Sequence, residues 1–233
     1  MEHITIAGKA CHILQKGTGG PVILWGMYPF RDWELERTFD EILQQTGKQD
    51  LLLVAYQVED WNRDFSPWEA PAAVSGETFP GKASLTLEWL LDSCIPYVEA
   101  NYQQEKQYLL AGYSLAGLFS LWTLYQTNVF RGAACCSGSL WYRGWKEYAG
   151  QNYILREDSL VYLSLGGKEE KTANPMMATV GDATKKQEKL LKADPNVKDV
   201  VLQWNSGGHF ADPGKRLAKG IAWLLEHERI GYG

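Results

Sequence analysis

The chain has 233 residues with 45% hydrophobic content, and its 23 basic and 28 acidic side chains leave a net charge of −5. Such a chain suits one globular domain over 1–233, with a core on both faces of a sheet, and it offers no basic face for nucleic acid. No apolar run approaches the roughly 20 residues that span a bilayer, and the amino-terminal residues lack a signal-peptide pattern, so a cytoplasmic location without membrane contact is expected.

Segments of strand and helix character alternate along the chain. Strands are expected at 3–8, 11–16, 21–27, 51–58, 107–113, 131–137, 159–165 and 197–204. Helices are expected near 32–46, 84–102, 115–127, 178–193 and 213–228, and Pro96 should kink or restart the second. Because parallel strands need long crossovers, the pattern predicts an α/β fold with an antiparallel edge of two strands, a parallel remainder and helices on both faces.

The longest irregular segment, 59–83, is rich in tryptophan, phenylalanine and proline. A loop of this length is uncommon unless it serves a site. We expect it to wall a binding pocket, with Trp61 or Trp68 against a ligand group and with Trp141 and Trp145 opposite. These rings could instead seal a core that no cap domain covers.

Arg63 lies in the same segment and is a candidate for binding an acidic group of a ligand. A structural ion pair with Asp64 or Glu59 is the favoured alternative, since both carboxylates are close in sequence.

Four cysteines show neither metal-ligand spacing nor the pattern of a secreted disulfide framework, so buried free thiols are expected. Cys135 and Cys136 are adjacent on an apolar strand, and successive side chains of a strand point to opposite faces. Each of the two should therefore lie on a different side of the sheet. No Asp/His grouping has metal-ligand spacing either, and neither a metal nor a cofactor is expected.

Ser114 lies where a strand gives way to a helix. The apolar segment 107–111 ends at Gly112, the serine follows two residues later, and Ala116 and Gly117 keep the turn small. Apolar residues then recur at helical spacing, at Leu115, Leu118, Phe119, Trp122 and Tyr125. A tight strand-to-helix turn of small residues is how an α/β-hydrolase exposes a nucleophilic serine, although Ser114 could also be a simple helix cap.

A catalytic serine needs a histidine as general base, and His209 is the candidate. It follows the strand-like segment 200–204, sits in a glycine-containing loop, and precedes a helix that Asp212 can cap. The other histidines lie in edge strands or on a charged helical face, at His3, His12 and His227.

The third group should be a carboxylate between the serine and the histidine, after the penultimate strand. Glu169 follows strand 159–165 and is the first choice, with Glu170 and Asp182 as alternatives. Such a carboxylate fixes the tautomer of the histidine ring and stabilises the imidazolium. A serine–histidine pair without a strong acid also remains open.

An oxyanion hole requires two backbone donors, one after the nucleophile and one after an early strand. The amide of Leu115 supplies the first. The second is assigned to the amide of Met27, at the end of the buried strand 21–27, where Gly26 permits close backbone approach.

Together these motifs resemble the putative esterase branch of the α/β-hydrolase superfamily, which includes esterase D, enterochelin esterases, feruloyl esterases and mycolyltransferases. Gly138 stands where such relatives carry proline, in a stretch that frames the acyl side of their pocket. The resemblance rests on the serine turn and on four further segments, Trp61–Trp68, Phe79 with Gly81, Cys136–Trp141 and Gly207–Phe210.

The resemblance implies a serine carboxylester hydrolase that acts on a small or medium ester. His209 would take the proton of Ser114 as the serine attacks the carbonyl, the amides of Leu115 and Met27 would hold the oxyanion, and water would then cleave the acyl-enzyme. Two alternatives remain, an acyltransferase with an alcohol or sugar acceptor and a ligand-binding homologue without catalysis. The expected partner is a small-molecule ester.

Overall fold

The computed structural model describes residues 1–27, 31–71 and 78–228. The strands are β1 Glu2–Ile6, β2 Lys9–Lys16, β3 Val22–Met27, β4 Leu51–Gln57, β5 Glu69–Ala70, β6 Phe79–Pro80, β7 Tyr108–Tyr113, β8 Phe130–Cys136, β9 Ser159–Gly166 and β10 Val197–Asn205. The α-helices are α1 Asp32–Thr46, α2 Trp61–Phe65, α3 Ala83–Trp89, α4 Ile95–Asn101, α5 Leu115–Thr123, α6 Trp145–Gln151, α7 Val180–Ala193 and α8 Pro213–His227.

Eight strands form one sheet in the order β1, β2, β4, β3, β7, β8, β9, β10. β1 pairs with β2 and β2 with β4 in antiparallel fashion, and every other pair in this sheet is parallel. The predicted α/β fold with an antiparallel edge is thus confirmed. All six residues of β3 are buried, as a strand covered by helices on both faces must be.

The sheet separates two apolar layers. One layer contains side chains of α1 and α8, such as Phe39 and Ile221, and the other contains those of α3 to α7, such as Phe119. Cys135 belongs to the second layer and Cys136 to the first, which confirms the expected alternation. All four thiols are free and buried, also as expected.

The segment 59–83 is more ordered than its composition indicated, although residues 72–77 lie outside the described part. It contains α2 and a two-stranded ribbon of β5 and β6. Asp60 caps α2 by accepting a hydrogen bond from the amide of Arg63 at 2.9 Å. A helix of five residues and strands of two are too short to leave a periodic pattern, and α6 was missed for a similar reason.

The long helix expected at 84–102 is interrupted. A π-helical turn at Leu90–Cys94 separates α3 from α4, and Pro96 stands in the first turn of α4. The backbone stays helical through this turn, since Cys94 and Ile95 are both in the right-handed helical region and the amide of Ile95 bonds the carbonyl of Leu90, five residues back. Among the described residues, no helix combines the length and the apolar character needed to cross a membrane.

Candidate active site

Ser114 occupies the turn between β7 and α5 with φ 58° and ψ −121°. Positive φ is unfavourable for a residue with a side chain and persists only where surrounding structure enforces it. A Cβ atom on Gly112 would stand 2.1 Å from the carbonyl oxygen of Ala116, so only glycine fits at that position. The small residues around Ser114 are therefore required by the tightness of the turn.

His209 and Glu169 approach each other from neighbouring loops. Glu169 begins a 3-10 turn after β9, and His209 lies in the loop after β10. Nδ1 of His209 lies 2.8 Å from Oε2 of Glu169. This contact leaves Nε2 of the ring available to a second partner.

The other oxygen of Glu169 is held by three donors. Oε1 accepts hydrogen bonds from the amide of Gly166 at 2.6 Å, from Oγ of Ser137 at 2.7 Å and from Nη1 of Arg216 at 2.7 Å. Burial by itself would raise the pKa of Glu169, but the hydrogen bonds from His209, Gly166 and Ser137 lower it below the ordinary value. The carboxylate is thus ionised and fixed in place.

Arg216 is the residue that sequence reasoning missed. It lies on α8, is only 2% exposed, and also donates to the hydroxyl of Tyr113 at 3.0 Å and to the carbonyl of Gly208 at 2.8 Å. The sequence did contain a signal for Arg216, because a charged side chain at a core-facing position of an amphipathic helix indicates a buried partner. Arg216 ties Glu169 to the loop that carries His209.

The alternative acids are placed differently. Glu170 and Asp182 are both exposed, and Asp182 lies 3.7 Å from Nζ of Lys185. Of the three carboxylates considered from sequence, Glu169 is the one that contacts His209.

Oγ of Ser114 lies 3.4 Å from Oγ of Ser139, and the amide of Ser139 donates to the carbonyl of Ser114 at 3.0 Å. Within the described part of the chain, no hydrogen bond joins Ser114 to the ring of His209. Both residues nevertheless line the same cavity. Such contacts are often long in ligand-free enzymes and shorten when substrate binds.

The cavity has a volume of about 510 Å³, within the range of small-molecule sites. Met27 and Leu115 line it, as do Glu169 and two of the tryptophans expected there, Trp61 and Trp141. Its other apolar and aromatic lining includes Trp25, Phe79, Tyr113, Met177, Val180 and Phe210. None of the described lining residues is a lysine or an arginine.

The expectation for Trp68 is corrected by its position, which is not on the cavity. Its ring stacks on Trp145 with centroids 6.4 Å apart, and its Nε1 donates to the carbonyl of Arg143 at 2.9 Å. Trp145 is 1% exposed and belongs to the core rather than to the opposite wall of a pocket. Both rings pack in an aromatic cluster with Tyr148, whose ring centroid lies 5.1 Å from that of Trp68 and 5.8 Å from that of Trp145.

Arg63 is likewise absent from the cavity lining. Its Nε lies 2.7 Å from Oδ1 of Asp64, and its Nη2 lies 3.2 Å from Oε2 of Glu59. These hydrogen bonds raise the pKa of Arg63 and, against the effect of burial, lower that of Asp64. Arg63 therefore forms structural ion pairs with Asp64 and Glu59 and does not line the cavity.

Comparison with known proteins connects this geometry to a family. The family described as "Putative esterase" matches residues 12–212. The chain belongs to this family. It is a carboxylic ester hydrolase with the α/β-hydrolase fold.

The esterase is 24% identical over 200 residues to a Bacillus subtilis (strain 168) protein, "Uncharacterized protein YbbA", a match covering 82% of this chain and 79% of that one. Among solved structures it is similar to an IroE-like serine hydrolase from Shewanella oneidensis, with a TM-score of 0.75, 15% identity, and 94% and 76% of the two chains covered. Siderophore hydrolase EstB from Aspergillus nidulans gives a TM-score of 0.73 at 15% identity, covering 99% and 95%. These structural likenesses establish a shared fold.

Proposed function

We propose that the esterase cleaves a neutral small-molecule ester through an acyl-enzyme on Ser114, with His209 as general base and Glu169 as the carboxylate that orients it. The observation that carries this proposal is the 2.8 Å contact of His209 with Glu169 at a cavity that also exposes the strained Ser114. A serine becomes nucleophilic only when such a base can remove its proton.

The first chemical step transfers one proton. Glu169 accepts a hydrogen bond from Nδ1–H of His209 without taking the proton, so Nε2 is left unprotonated and takes the proton of Ser114 as Oγ attacks the ester carbonyl. The carboxylate then stabilises the imidazolium. This step requires Oγ of Ser114 to come within hydrogen-bond reach of Nε2 when substrate is bound.

Two amides are suited to hold the resulting oxyanion. Leu115 begins α5, where the first amides of the helix have no partner within it, and Met27 ends β3 and also lines the cavity. His209 then returns its proton to the leaving alcohol. Water repeats the sequence on the acyl-enzyme and releases the acid.

The lining argues for an uncharged, aromatic or bulky apolar group on the substrate. Trp61, Phe79 and Trp141 offer aromatic faces, and Glu169 is the charged member of the described lining. An anionic group would be desolvated here without a cationic partner, which is unfavourable. Because EstB is named a siderophore hydrolase, a siderophore ester belongs among the substrates to be tested.

The proposal is tested with a fluorophosphonate probe and a panel of esters that differ in acyl size, aromaticity and charge. We expect the probe to label the wild type at Ser114, turnover to be highest for neutral aromatic esters, and Ser114→Ala to lose about 10⁶-fold in kcat. Ser120→Ala is the matched control, because Ser120 lies on α5 and its hydroxyl donates to the carbonyl of Ala116 in the same helix.

Two outcomes would contradict the role of Ser114 as nucleophile. A folded wild-type protein that the probe does not label would exclude a nucleophilic serine. Equal turnover in the wild type and in Ser114→Ala would place the chemistry elsewhere.

A second experiment adds an alcohol acceptor and separates hydrolysis from acyl transfer. Free acid as the main product supports a hydrolase. An ester formed with the added alcohol would instead assign an acyltransferase.

A further inference from the structure

Three side chains of metal-ligand type meet at the antiparallel edge of the sheet, away from the cavity. His3 on β1 and His12 on β2 are paired directly in register, and their rings lie 4.6 Å apart. Directly opposed residues of an antiparallel pair share a face of the sheet. Asp32, the first residue of α1, completes the cluster.

The potential ligand atoms are close to the spacing that a metal ion imposes. Nε2 of His3 lies 3.2 Å from Oδ2 of Asp32, and Nδ1 of His12 lies 3.7 Å from Oδ1. One atom from each of the three residues falls within 4.8 Å of the others. Bonds of about 2.0–2.2 Å in a tetrahedral site put ligands roughly 3.3–3.6 Å apart. Small movements of the half-exposed His3 and Asp32 would close the remaining gap.

His12 provides the second, independent observation. It is only 8% exposed, and its Nδ1 is a buried nitrogen with no hydrogen-bond partner among the residues that the structure describes. Leaving a buried polar atom unsatisfied is unfavourable, and native structures rarely do so without a reason. This nitrogen is directed at Asp32, where a shared ligand would satisfy it.

We propose that His3, His12 and Asp32 bind one divalent ion of the zinc class, with water in the fourth position. Imidazole and carboxylate suit Zn²⁺, whose filled d shell imposes no strict geometry. This inference is independent of the chemistry proposed for Ser114.

Gln57 is suited to orient the buried ring. The Nε2 atom of its side-chain amide lies 3.2 Å from Nε2 of His12. When Nδ1 of His12 binds metal, the ring proton resides on Nε2, and a half-turn of the Gln57 amide presents its oxygen as the acceptor. Metal-binding histidines usually have such a partner on the second nitrogen.

The local charges favour a cation on balance. The N-terminus of α1 contributes about half a positive charge, which opposes binding, but Asp32 itself carries a full negative charge and is a direct ligand. None of the three residues lines the cavity, so the ion would act on the stability of the sheet edge and of α1.

The test is calorimetric titration of the full-length protein with Zn²⁺, together with the absorption spectrum of Co²⁺ and the melting temperature with and without Zn²⁺. We expect one equivalent to bind, a tetrahedral Co²⁺ spectrum, and a rise in Tm that grows with Zn²⁺ concentration. His3→Gln and Asp32→Asn, both at half-exposed positions that tolerate substitution, should each weaken binding at least about 100-fold and abolish the Tm shift. Gln57→Ala should weaken it about tenfold.

His227→Gln is the matched control. His227 also faces a carboxylate, with Nε2 4.0 Å from Oδ2 of Asp199, but its ring stacks on Trp223, and within the described ranges no third ligand joins the pair. This variant should bind Zn²⁺ like the wild type. A cooperative thermal unfolding transition in the absence of Zn²⁺ verifies that each variant is folded. Equal Zn²⁺ affinity in the wild type, His3→Gln and Asp32→Asn, or binding lost in the control alone, would overturn the proposal.

Discussion

At the scale of single residues, Glu169 has two separate tasks for its two oxygens. Oε2 contacts His209, while Oε1 is fixed by Arg216, Ser137 and the amide of Gly166. A carboxylate anchored at one oxygen holds the other in a defined position, which is what an orienting acid requires. The exposed neighbour Glu170 has none of these contacts.

Glu169→Gln is expected to lower kcat by as much as ~10⁴-fold, because an amide can stabilise the wrong tautomer of His209 and cannot stabilise its cation. Steady-state kinetics on a neutral aromatic ester measures the effect. Glu170→Gln makes the same chemical change one residue later and should leave kcat within about twofold. Equal loss in both variants would mean that Glu169 does not orient His209.

The same variant tests the pKa of Glu169. Since the folded-state pKa lies below the ordinary value of 4.5, the ionised group stabilises the fold above pH 4.5, and this contribution is lost as pH falls toward the folded-state pKa. Removing one partner of a buried ion pair costs about 3–5 kcal/mol. In urea unfolding, the deficit of Glu169→Gln should be largest at pH 7 and shrink below pH 4.5. A deficit independent of pH would contradict the lowered pKa.

At the scale of elements, the segment between β4 and α3 divides its aromatic side chains between cavity and core. Trp61 lies on α2 and lines the cavity, whereas Trp68 packs against α6 and its neighbours. Tyr142 adds a hydrogen bond from its hydroxyl to the carbonyl of Trp68 at 2.6 Å. Whether a ring lines the cavity or packs against the core depends on the element that it contacts. The composition of the segment does not reveal these contacts.

Trp68→Ala and Trp141→Ala form a matched pair. Trp68→Ala should reduce the free energy of unfolding by about 2 kcal/mol, less than for a fully buried tryptophan, and leave the ranking of ester substrates unchanged. Trp141→Ala should change that ranking, because Trp141 lines the cavity. Urea unfolding and the ester panel measure the two effects. A changed ranking in Trp68→Ala would return that ring to the substrate site.

At the scale of the whole molecule, the parallel sheet brings the site residues together at the carboxyl ends of its strands. Open α/β sheets bind ligands at these ends, where the loops after adjacent parallel strands meet. The strands β3, β7, β8, β9 and β10 are neighbours in that order. Each has a cavity residue at or after its carboxyl end, which are, in the same order, Met27, Ser114, Ser137, Glu169 and His209.

The four buried thiols report on the integrity of this sheet. Burial raises the pKa of Cys11 to about 12 and that of Cys136 to about 12, and it also raises the pKa of Cys94 and Cys135. The thiolate is the reactive form, so we expect no labelling by a thiol reagent in the native protein. In denaturant, Cys11 should react first, because it lies next to the edge strand β1. Rapid labelling of Cys135 or Cys136 without denaturant would contradict the described core.

The amino-acid sequence by itself determined the features that a single element encodes. Alternation along a strand assigned Cys135 and Cys136 to opposite faces, the small residues around Ser114 indicated the tight turn, and the apolar segments located the eight strands of the sheet. Each of these signals lies within a few consecutive residues, where side-chain periodicity and backbone sterics act directly.

Only the tertiary structure decided which distant groups meet. It selected Glu169 over Glu170 as the partner of His209, and it supplied Arg216 as a donor to Glu169. It also packed the partly buried Trp68 against the core instead of the cavity. It also brought together His3, His12 and Asp32, whose spacing in the chain indicated no metal site. Such contacts depend on how strands pair and helices pack, and a local pattern contains no information about the partner that the folded chain provides.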